Sequence, residues 1–387
     1  MFKKISQIIF TIIFILIITV PMLTTNLKKN QISEAEKRVL APMAQLYNDD
    51  GSLNKNFMVD FETWINDNIG FRSEMVVGNA KIQYYGFNIL SNNSNMLLGP
   101  NKELNYATDT MLEDYQHLNY KSEDRLNIVA KAYQICSDYL SERGIDFYYF
   151  QCWDKHSIYP EHFPNSIVQF GDESKTDQII SVLENNTTIK IISPKEEFIT
   201  NKTTYESYSL WGDPTHWTQR GAYEGYKLLM TEINSYHGNK YKILQEEDYN
   251  ITLTDQGMTL FGGIHEECYL ENFEIKNPSA YLSDEAPLWL SPSATVTRQI
   301  YYNDNAGNND TLLILGDSYF DMYLYDDFAE SFHKVVLIWG DYTYSLPDII
   351  DQYQPTIVVM ENAERCERTD PVVSVAYNID KETLLAE

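Results

Sequence analysis

Apolar and polar positions along this chain fall into short blocks that predict alternating strands and helices. Continuous apolar runs predict buried strands at 145–150, 188–192, 311–315, 334–339 and 356–360. Apolar residues at helical spacing predict helices at 123–140, 176–183, 218–233, 321–332 and 346–353. Such alternation indicates a mostly parallel sheet covered on both faces, and ligands of such sheets bind beyond the carboxyl ends of the strands.

The N-terminal region carries a long apolar segment. Ile5 to Leu23 would reach about 28 Å as a helix, close to the thickness of one bilayer core. Lys3 and Lys4 precede it, and no Ala-x-Ala cleavage site follows it. We therefore expect an uncleaved membrane anchor at residues 1–25.

The remaining pattern predicts a polar spacer at 26–56 and one domain over 57–387. The first helical stretch of that domain, 57–85, is interrupted at Gly70. Residues 240–310 are strand-rich and irregular, and we interpret them as an excursion from the main sheet.

The amino-acid composition limits the classes of function that this protein can have. The net charge of −27 over 387 residues argues against a nucleic-acid partner. The four cysteines are far apart and show no metal-ligand spacing, so we predict no zinc site. Tyrosine is frequent, with 29 copies, and exposed tyrosines could stack on sugar rings, although most are expected to be packed.

A candidate nucleophile follows the strand at 311–315. Gly316-Asp317-Ser318 stands where this strand gives way to a helix, and we expect Gly316 to allow a sharp turn there. The Ser318 hydroxyl would lie above the carboxyl edge of the sheet, and its backbone N–H would face a developing oxyanion. The alternative is an ordinary strand–turn–helix with a serine cap.

A second motif reads Trp211-Gly212-Asp213-Pro214-Thr215-His216-Trp217-Thr218. The Asp213 carboxylate can hold the Nδ1–H of His216, which leaves Nε2 free to take a proton from a serine. The alternative is that Asp213 caps the next helix and Pro214 is its first residue. The presence of Gly-Asp-Ser in the same chain favours the catalytic interpretation.

Three further candidates follow other strands. Lys155 comes just after the strand at 145–150, Gly340 after that at 334–339, and Asn362 after that at 356–360. Each has an ordinary alternative, namely a solvated lysine, a turn glycine and a capping asparagine.

These motifs resemble a known superfamily. The serine after Gly-Asp, the glycine and asparagine after the next two strands, and Asp-x-x-His are similar to the four blocks of the SGNH (GDSL-type) hydrolases. Here the Asp/His block precedes the serine, and this permuted order with His-Trp-Thr-x-x-Gly-Ala resembles the AlgX/AlgJ-type alginate O-acetyltransferase family. The Lys-x-x-Ile-Tyr-Pro segment at 155–160 and the pair Glu364-Arg365 agree. That family commonly has one residue between Asp and His, whereas two separate them here.

The resemblance implies an SGNH-hydrolase-like α/β three-layer sandwich with permuted catalytic blocks behind an N-terminal transmembrane helix. It implies an extracytoplasmic enzyme that moves acetyl groups onto hydroxyls of an exopolysaccharide, with a membrane-bound O-acyltransferase as the donor partner and no metal or cofactor. Ser318 would be the nucleophile, His216 the base and Asp213 its orienting partner. The oxyanion hole would include Gly340 and Asn362, and the candidate substrate-binding residues are Trp217, Tyr319, Lys155 and Arg365.

Two alternatives stay open. The same three residues would serve an acetylesterase with water as the acceptor. A non-catalytic polysaccharide-binding or scaffold protein could use the same fold. The strongly acidic composition favours a neutral acceptor glycan over an acidic one.

Overall fold

The computed structural model of the protein describes residues 2–27, 31–33, 38–91, 95–285, 297–339 and 346–386. The chain forms two compact units. The first comprises Met1–Asn93 and Thr259–Glu266, and the second comprises Ser94–Met258 and Glu267–Glu387.

The helices, in chain order, are α1 (Phe2–Leu23), α2 (Phe57–Asn68), α3 (Arg72–Phe87), α4 (Asp109–Gln116), α5 (Glu123–Ser141), α6 (Lys155–Ile158), α7 (Lys175–Asn186), α8 (Lys195–Thr200), α9 (Gln219–His237), α10 (Ser318–Tyr323), α11 (Tyr325–Ser331), α12 (Leu346–Tyr353), α13 (Thr369–Ile379) and α14 (Lys381–Leu385). The strands are β1 (Ile32–Ser33), β2 (Arg38–Val39), β3 (Met96–Leu98), β4 (Leu104–Tyr106), β5 (Asp146–Cys152), β6 (Lys190–Ile192), β7 (Tyr249–Asp255), β8 (Thr259–Leu260), β9 (Ile264–His265), β10 (Tyr269–Ile275), β11 (Tyr281–Leu282), β12 (Thr297–Tyr302), β13 (Thr311–Gly316), β14 (Lys334–Trp339) and β15 (Ile357–Ala363).

The first unit is mainly helical. Within α1, the segment Lys4–Leu23 has a mean hydropathy of 2.5 and is unburied, so by length and composition it is a candidate membrane anchor or signal sequence. The interruption predicted at Gly70 is confirmed, since α2 ends at Asn68 and Phe71 adopts a left-handed φ of 59° before α3. Asp67 at the end of α2 forms an ion pair with Arg38 at 2.6 Å, and the hydrogen bond from Arg38 lowers the pKa of Asp67 to about 2.

The second unit is built on a seven-stranded sheet in the order β11-β12-β14-β13-β15-β5-β6. The five strands from β14 to β6 are parallel to one another, which confirms the mostly parallel sheet. β12 and β11 extend one edge in antiparallel fashion. Residues 240–310 are therefore only partly an excursion: β7 and β10 pair apart from the main sheet, whereas β11 and β12 belong to it.

Side chains alternate between the two faces of this sheet, as the strand geometry requires. On β13, Leu312 and Ile314 face a core that contains α9, α10 and α11. Leu313 and Leu315 face the opposite core with α5, α12 and α13. Burial on both faces explains why these strands read as continuous apolar runs in the sequence.

Candidate active site

The candidate nucleophile stands at the junction of β13 and α10. β13 ends at Gly316, Asp317 is the N-cap residue of α10, and Ser318 is its first residue. The Asp317 amide donates to Glu361 Oε2 at 2.6 Å, and the Tyr319 amide donates to Asp317 Oδ1 at 3.0 Å. The Ser318 N–H lies between these two engaged amides, at a helix position that has no intrahelical acceptor.

Gly316 has a different role from the one expected. Its φ is not among the positive values of the chain, so the turn does not require glycine for conformational reasons. A Cβ at this position would instead lie 2.8 Å from Glu361 Oε2 on the adjacent strand β15. Glycine is needed here because a buried carboxyl group occupies the space that a side chain would fill.

Three side chains form a continuous hydrogen-bonded chain. Ser318 Oγ lies 2.8 Å from His216 Nε2, and His216 Nδ1 lies 2.9 Å from Asp213 Oδ2. The side chain of His216 is 14% exposed and that of Asp213 is 35% exposed, so solvent reaches the pair. The Asp213 carboxylate requires a proton on Nδ1, which leaves the lone pair of Nε2 directed at the serine hydroxyl.

Thr215, between the aspartate and the histidine, completes this arrangement. Its amide donates to Asp213 Oδ1 at 2.8 Å, and its hydroxyl lies 2.8 Å from His216 Nδ1. Burial alone would raise the pKa of Asp213, but hydrogen bonds from His216 and Thr215 outweigh it and hold the pKa below its ordinary value. The carboxylate therefore stays charged at neutral pH.

Asp213 does not cap a helix. The helix after the motif, α9, begins at Gln219, and its N-cap residue is Thr218, whose hydroxyl accepts from the Gly221 amide at 3.0 Å. The capping alternative for Asp213 is therefore wrong, since Pro214 and His216 both precede the helix.

Arg365 contacts the candidate base rather than lying open to a substrate. Its Nη2 lies 3.2 Å from His216 Nε2, and its Nη1 donates to the Thr215 carbonyl at 2.6 Å. The guanidinium also pairs with Asp154, which is itself buried. The side chain of Arg365 is only 13% exposed, and its contacts in the structure are with His216, Thr215 and Asp154, so its expected role in substrate binding stays a prediction.

Trp217 and Tyr319 are also placed differently from the expectation. Both rings are buried, and Trp217 Nε1 donates to the Tyr319 carbonyl at 3.1 Å. The Tyr319 hydroxyl donates to Asp154 Oδ1 at 2.9 Å. Neither ring offers a free face to a sugar; instead, Trp217 packs against α10 and helps to hold the segment that carries Ser318.

Lys155 is buried as well. It is 4% exposed, and its Nζ donates to the Leu104 carbonyl at 2.6 Å. Burial lowers the pKa of Lys155 to about 8. A buried and hydrogen-bonded ammonium is not in a position to contact a polymer, so the expected substrate contact is replaced by a structural one.

Of the two residues expected in the oxyanion hole, the structure describes only Asn362. Gly340 lies outside the described residues. Asn362 lies near the carboxyl end of β15, next to β13, and its side chain is hydrogen-bonded: Nδ2 donates to Gln151 Oε1 at 3.3 Å, and Oδ1 accepts from the Arg368 amide at 3.1 Å. The Nδ2 group carries two N–H donors, so the bond to Gln151 leaves one of them for a further acceptor.

Sequence reasoning missed the buried acid Glu361. Its side chain is fully buried beneath Gly316, and burial together with the neighbouring Asp317 raises its pKa well above the ordinary value. A signal was present, because a glutamate directly follows the apolar residues of β15 and precedes Asn362. A charged residue inside a buried parallel strand is rare unless it has a specific partner.

The fold and the site together define an α/β protein with a hydrogen-bonded Ser–His–Asp chain at the carboxyl edge of a mostly parallel sheet. No family model and no curated protein matches the sequence. Among solved structures, the chain is similar to PatB1 from Bacillus cereus, at 17% identity and a TM-score of 0.51, over 76% of this chain and 99% of that one. PatB1 has also been solved with a sulfonyl adduct.

Two further structures are similar. A DHHW family protein from Eubacterium siraeum aligns at 12% identity and a TM-score of 0.49, over 73% of this chain and 96% of that one. The O-acetyltransferase domain of Pseudomonas putida AlgJ aligns at 14% identity and a TM-score of 0.44, over 70% of this chain and 91% of that one. The likeness to PatB1, at 17% identity, shows a shared fold.

Proposed function

We propose that this protein is an extracytoplasmic O-acetyltransferase that modifies an exopolysaccharide through an acetyl-serine intermediate. The observation that carries the proposal is the hydrogen-bonded chain from Ser318 through His216 to Asp213, at 2.8 and 2.9 Å. These distances are those of a nucleophile, a general base and its orienting carboxylate. The motif resemblance to the AlgX/AlgJ-type family selects acetyl transfer among the reactions open to such a site.

In the first half-reaction, Ser318 Oγ attacks the carbonyl carbon of an acetyl donor. His216 Nε2 takes the hydroxyl proton, and Asp213 stabilises the imidazolium that forms. The negative charge on the carbonyl oxygen faces the Ser318 N–H, with Gly340 and Asn362 as further candidate donors. When the tetrahedral intermediate collapses, the bond to the leaving group breaks, and His216 returns its proton to that group.

In the second half-reaction, a sugar hydroxyl takes the place of the leaving group. Its oxygen attacks the acetyl-serine while His216 Nε2 removes its proton. The Ser318 ester bond then breaks, His216 reprotonates Ser318 Oγ, and the acetylated glycan leaves. Arg365, held by Asp154 and by the Thr215 carbonyl, would keep the imidazole ring aimed at the serine throughout both steps.

We propose that α1 anchors the protein in the membrane and that a membrane-bound O-acyltransferase delivers the acetyl group. The support is the apolar segment Lys4–Leu23, whose length and composition suit a single crossing. An enzyme outside the cytoplasm has no access to soluble acetyl-coenzyme A, so a donor partner in the same membrane would supply the acetyl group.

The test of the nucleophile uses the full-length chain in detergent. We expect it to hydrolyse a chromogenic acetyl ester slowly in the absence of a glycan and to react with an aromatic sulfonyl fluoride. Peptide mapping by mass spectrometry should place the sulfonyl group on Ser318, and Ser318→Ala should lose about 10³-fold or more in turnover. A label on any other residue, or unchanged turnover in the alanine variant, would contradict the assignment.

Transfer is then measured with an acetyl donor and a panel of oligosaccharides. Mass spectrometry should detect an added acetyl group on a sugar, and the rate of donor consumption should rise with the sugar concentration. Release of free acetate at the same rate with and without every sugar would instead identify an acetylesterase.

A further inference from the structure

A cavity of about 510 Å³ opens beside the helix that carries the candidate nucleophile. Its volume falls within the range of about 300–1,000 Å³ that is usual for small-molecule sites. Its walls come from α9, from the first residue of β7, from β10 and the segment after it, from β12, and from α10 and α11. Nothing in the reaction described above uses this cavity.

The cavity lies close to the Ser–His–Asp chain. Tyr323 lines it and is the last residue of α10, which begins with Ser318, so the two residues are separated by roughly 7–8 Å along the helix axis. Burial raises the pKa of Tyr323, and the negative charge of Asp213 adds to that rise. Gln219 lines the same cavity and follows His216 by three residues.

Aromatic rings form one side of the cavity. Tyr223, Tyr249 and Phe273 pack against one another with ring centroids 5.2 to 5.5 Å apart, and Tyr301 and Tyr323 add two half-buried rings. Rings held in this way are rigid, and a tyrosine offers an apolar face together with a polar hydroxyl group. Such a wall suits a sugar ring, which has apolar C–H groups on its faces and hydroxyl groups at its edge.

Carboxyl groups form the other side. Asp327 is buried, accepts a hydrogen bond from the Tyr249 hydroxyl at 2.6 Å, and has its pKa raised by burial to about 7. Glu330 Oε1 accepts from the backbone amides of Ser279 and Ala280 at 2.6 and 2.8 Å, which fixes part of the wall. Asp326 is exposed at the rim, and none of the described residues that line the cavity carries a positive charge.

We propose that this cavity is the acceptor subsite and that it takes a sugar ring of the glycan that bears no carboxylate group. The sugar ring packs against Tyr301 and Tyr323, which are half-buried, and its hydroxyl groups donate to the exposed carboxyl group of Asp326. A uronic acid unit would bring a carboxylate against Asp326, and the Arg220 guanidinium, which lies over the Phe273 ring, is already paired with Glu246 and Glu271. This inference rests on the proposed function, since it names the acceptor of the same site.

The first experiment measures binding without turnover. The full-length Ser318→Ala variant in detergent is titrated by calorimetry with cellotetraose and, separately, with tetragalacturonate. We expect cellotetraose to bind at least about tenfold more tightly, because like charges at short range disfavour the uronate. Equal affinities, tighter binding of the uronate, or binding of neither saccharide would overturn the proposal.

The second experiment changes the cavity through two exposed positions, so that folding is preserved. Leu282 lines the cavity and is 58% exposed, and Leu282→Trp should fill the entrance and weaken cellotetraose binding at least about tenfold. Asp326→Lys should improve tetragalacturonate binding by a similar factor. The matched control is Glu184→Lys, which makes the same charge change on α7 at an exposed site away from the cavity, and it should alter neither affinity.

Hydrolysis of the chromogenic acetyl ester separates this inference from the proposed function. Glu184→Lys, made in the background with an intact Ser318, should hydrolyse the ester at the wild-type rate. If the ester is not hydrolysed by the wild type, the proposed function fails. If it is hydrolysed normally while Leu282→Trp leaves cellotetraose binding unchanged, only the acceptor subsite is refuted.

Discussion

Asp213→Asn is the sharpest test of the arrangement around His216. The Asp213 carboxylate now accepts from Thr215 N at 2.8 Å through Oδ1 and from His216 Nδ1 at 2.9 Å through Oδ2. In the variant, the Thr215 amide still requires an oxygen, so the Asn side chain keeps its oxygen there and turns its NH₂ group towards His216. Since that group donates, the Nδ1 proton loses its acceptor. The proton then either moves to Nε2, where it blocks proton transfer from Ser318 and faces the Arg365 guanidinium 3.2 Å away, or stays on Nδ1 opposite a second donor; both arrangements weaken the base.

The expected loss of turnover in Asp213→Asn follows from the role of the carboxylate. An enzyme whose base is held in the wrong tautomer loses about 10³–10⁴-fold in turnover, equivalent to about 4–5.5 kcal/mol in the barrier. Because the pKa of Asp213 lies below its ordinary value of 3.8, the wild-type group is charged throughout the working range. The loss should therefore persist across pH 5–9 when hydrolysis of the chromogenic ester is followed.

The control is Asp172→Asn, which neutralises an exposed carboxylate of the same unit and should leave turnover unchanged. Thermal unfolding of both variants checks that the fold is intact. Turnover of Asp213→Asn within about threefold of the wild type would refute the reasoning about the tautomer, and the orienting role would then belong to another group.

Two further predictions concern the carboxyl group beneath the nucleophile. Gly316→Ala should lower the free energy of unfolding by about 1–3 kcal/mol in urea titrations, because the new Cβ meets Glu361 Oε2 at 2.8 Å; unchanged stability would show that Glu361 moves freely. Glu361 has a raised pKa, so the folded protein keeps a proton that the unfolded chain releases above about pH 4.5, and stability falls as the pH rises beyond that value. Glu361→Gln should remove this dependence, so its stability relative to the wild type should be greater at pH 8 than at pH 5; the same difference at both values would contradict the buried proton.

Much of the fold could be predicted because strands of the sheet that are buried on both faces consist of continuous apolar residues, which are visible in the sequence. The strand at 334–339 and the helix at 346–353 have the predicted bounds. The residues of the candidate site could also be recognised in the sequence, since Ser318 follows a buried strand, and Asp213 and His216 are three residues apart. Each of these signals is local, so a single sequence was sufficient.

The remaining features depend on which strands become neighbours. Glu361 matters because β15 lies beside β13 and places a carboxyl group under Gly316. Arg365 contacts His216 because the segment after β15 lies beside the Asp/His segment. No local pattern in the sequence predicts that these two segments are neighbours. The burial of Trp217 and Tyr319 likewise follows from packing of the Asp/His segment against α10, so their proximity to the motifs in sequence was misleading about exposure.

The order of strands in the main sheet has a consequence for how the chain matures. β15 follows both β5 and β13 in the sequence, yet it lies between them in the middle of the sheet. Until it emerges, β13 and β5 each present an open edge where a neighbour is missing, and open edges recruit foreign strands. A chain that emerges N-terminus first therefore exposes both edges until β15 has followed. The strand order itself thus requires that these two edges stay protected from other chains while the sheet is incomplete.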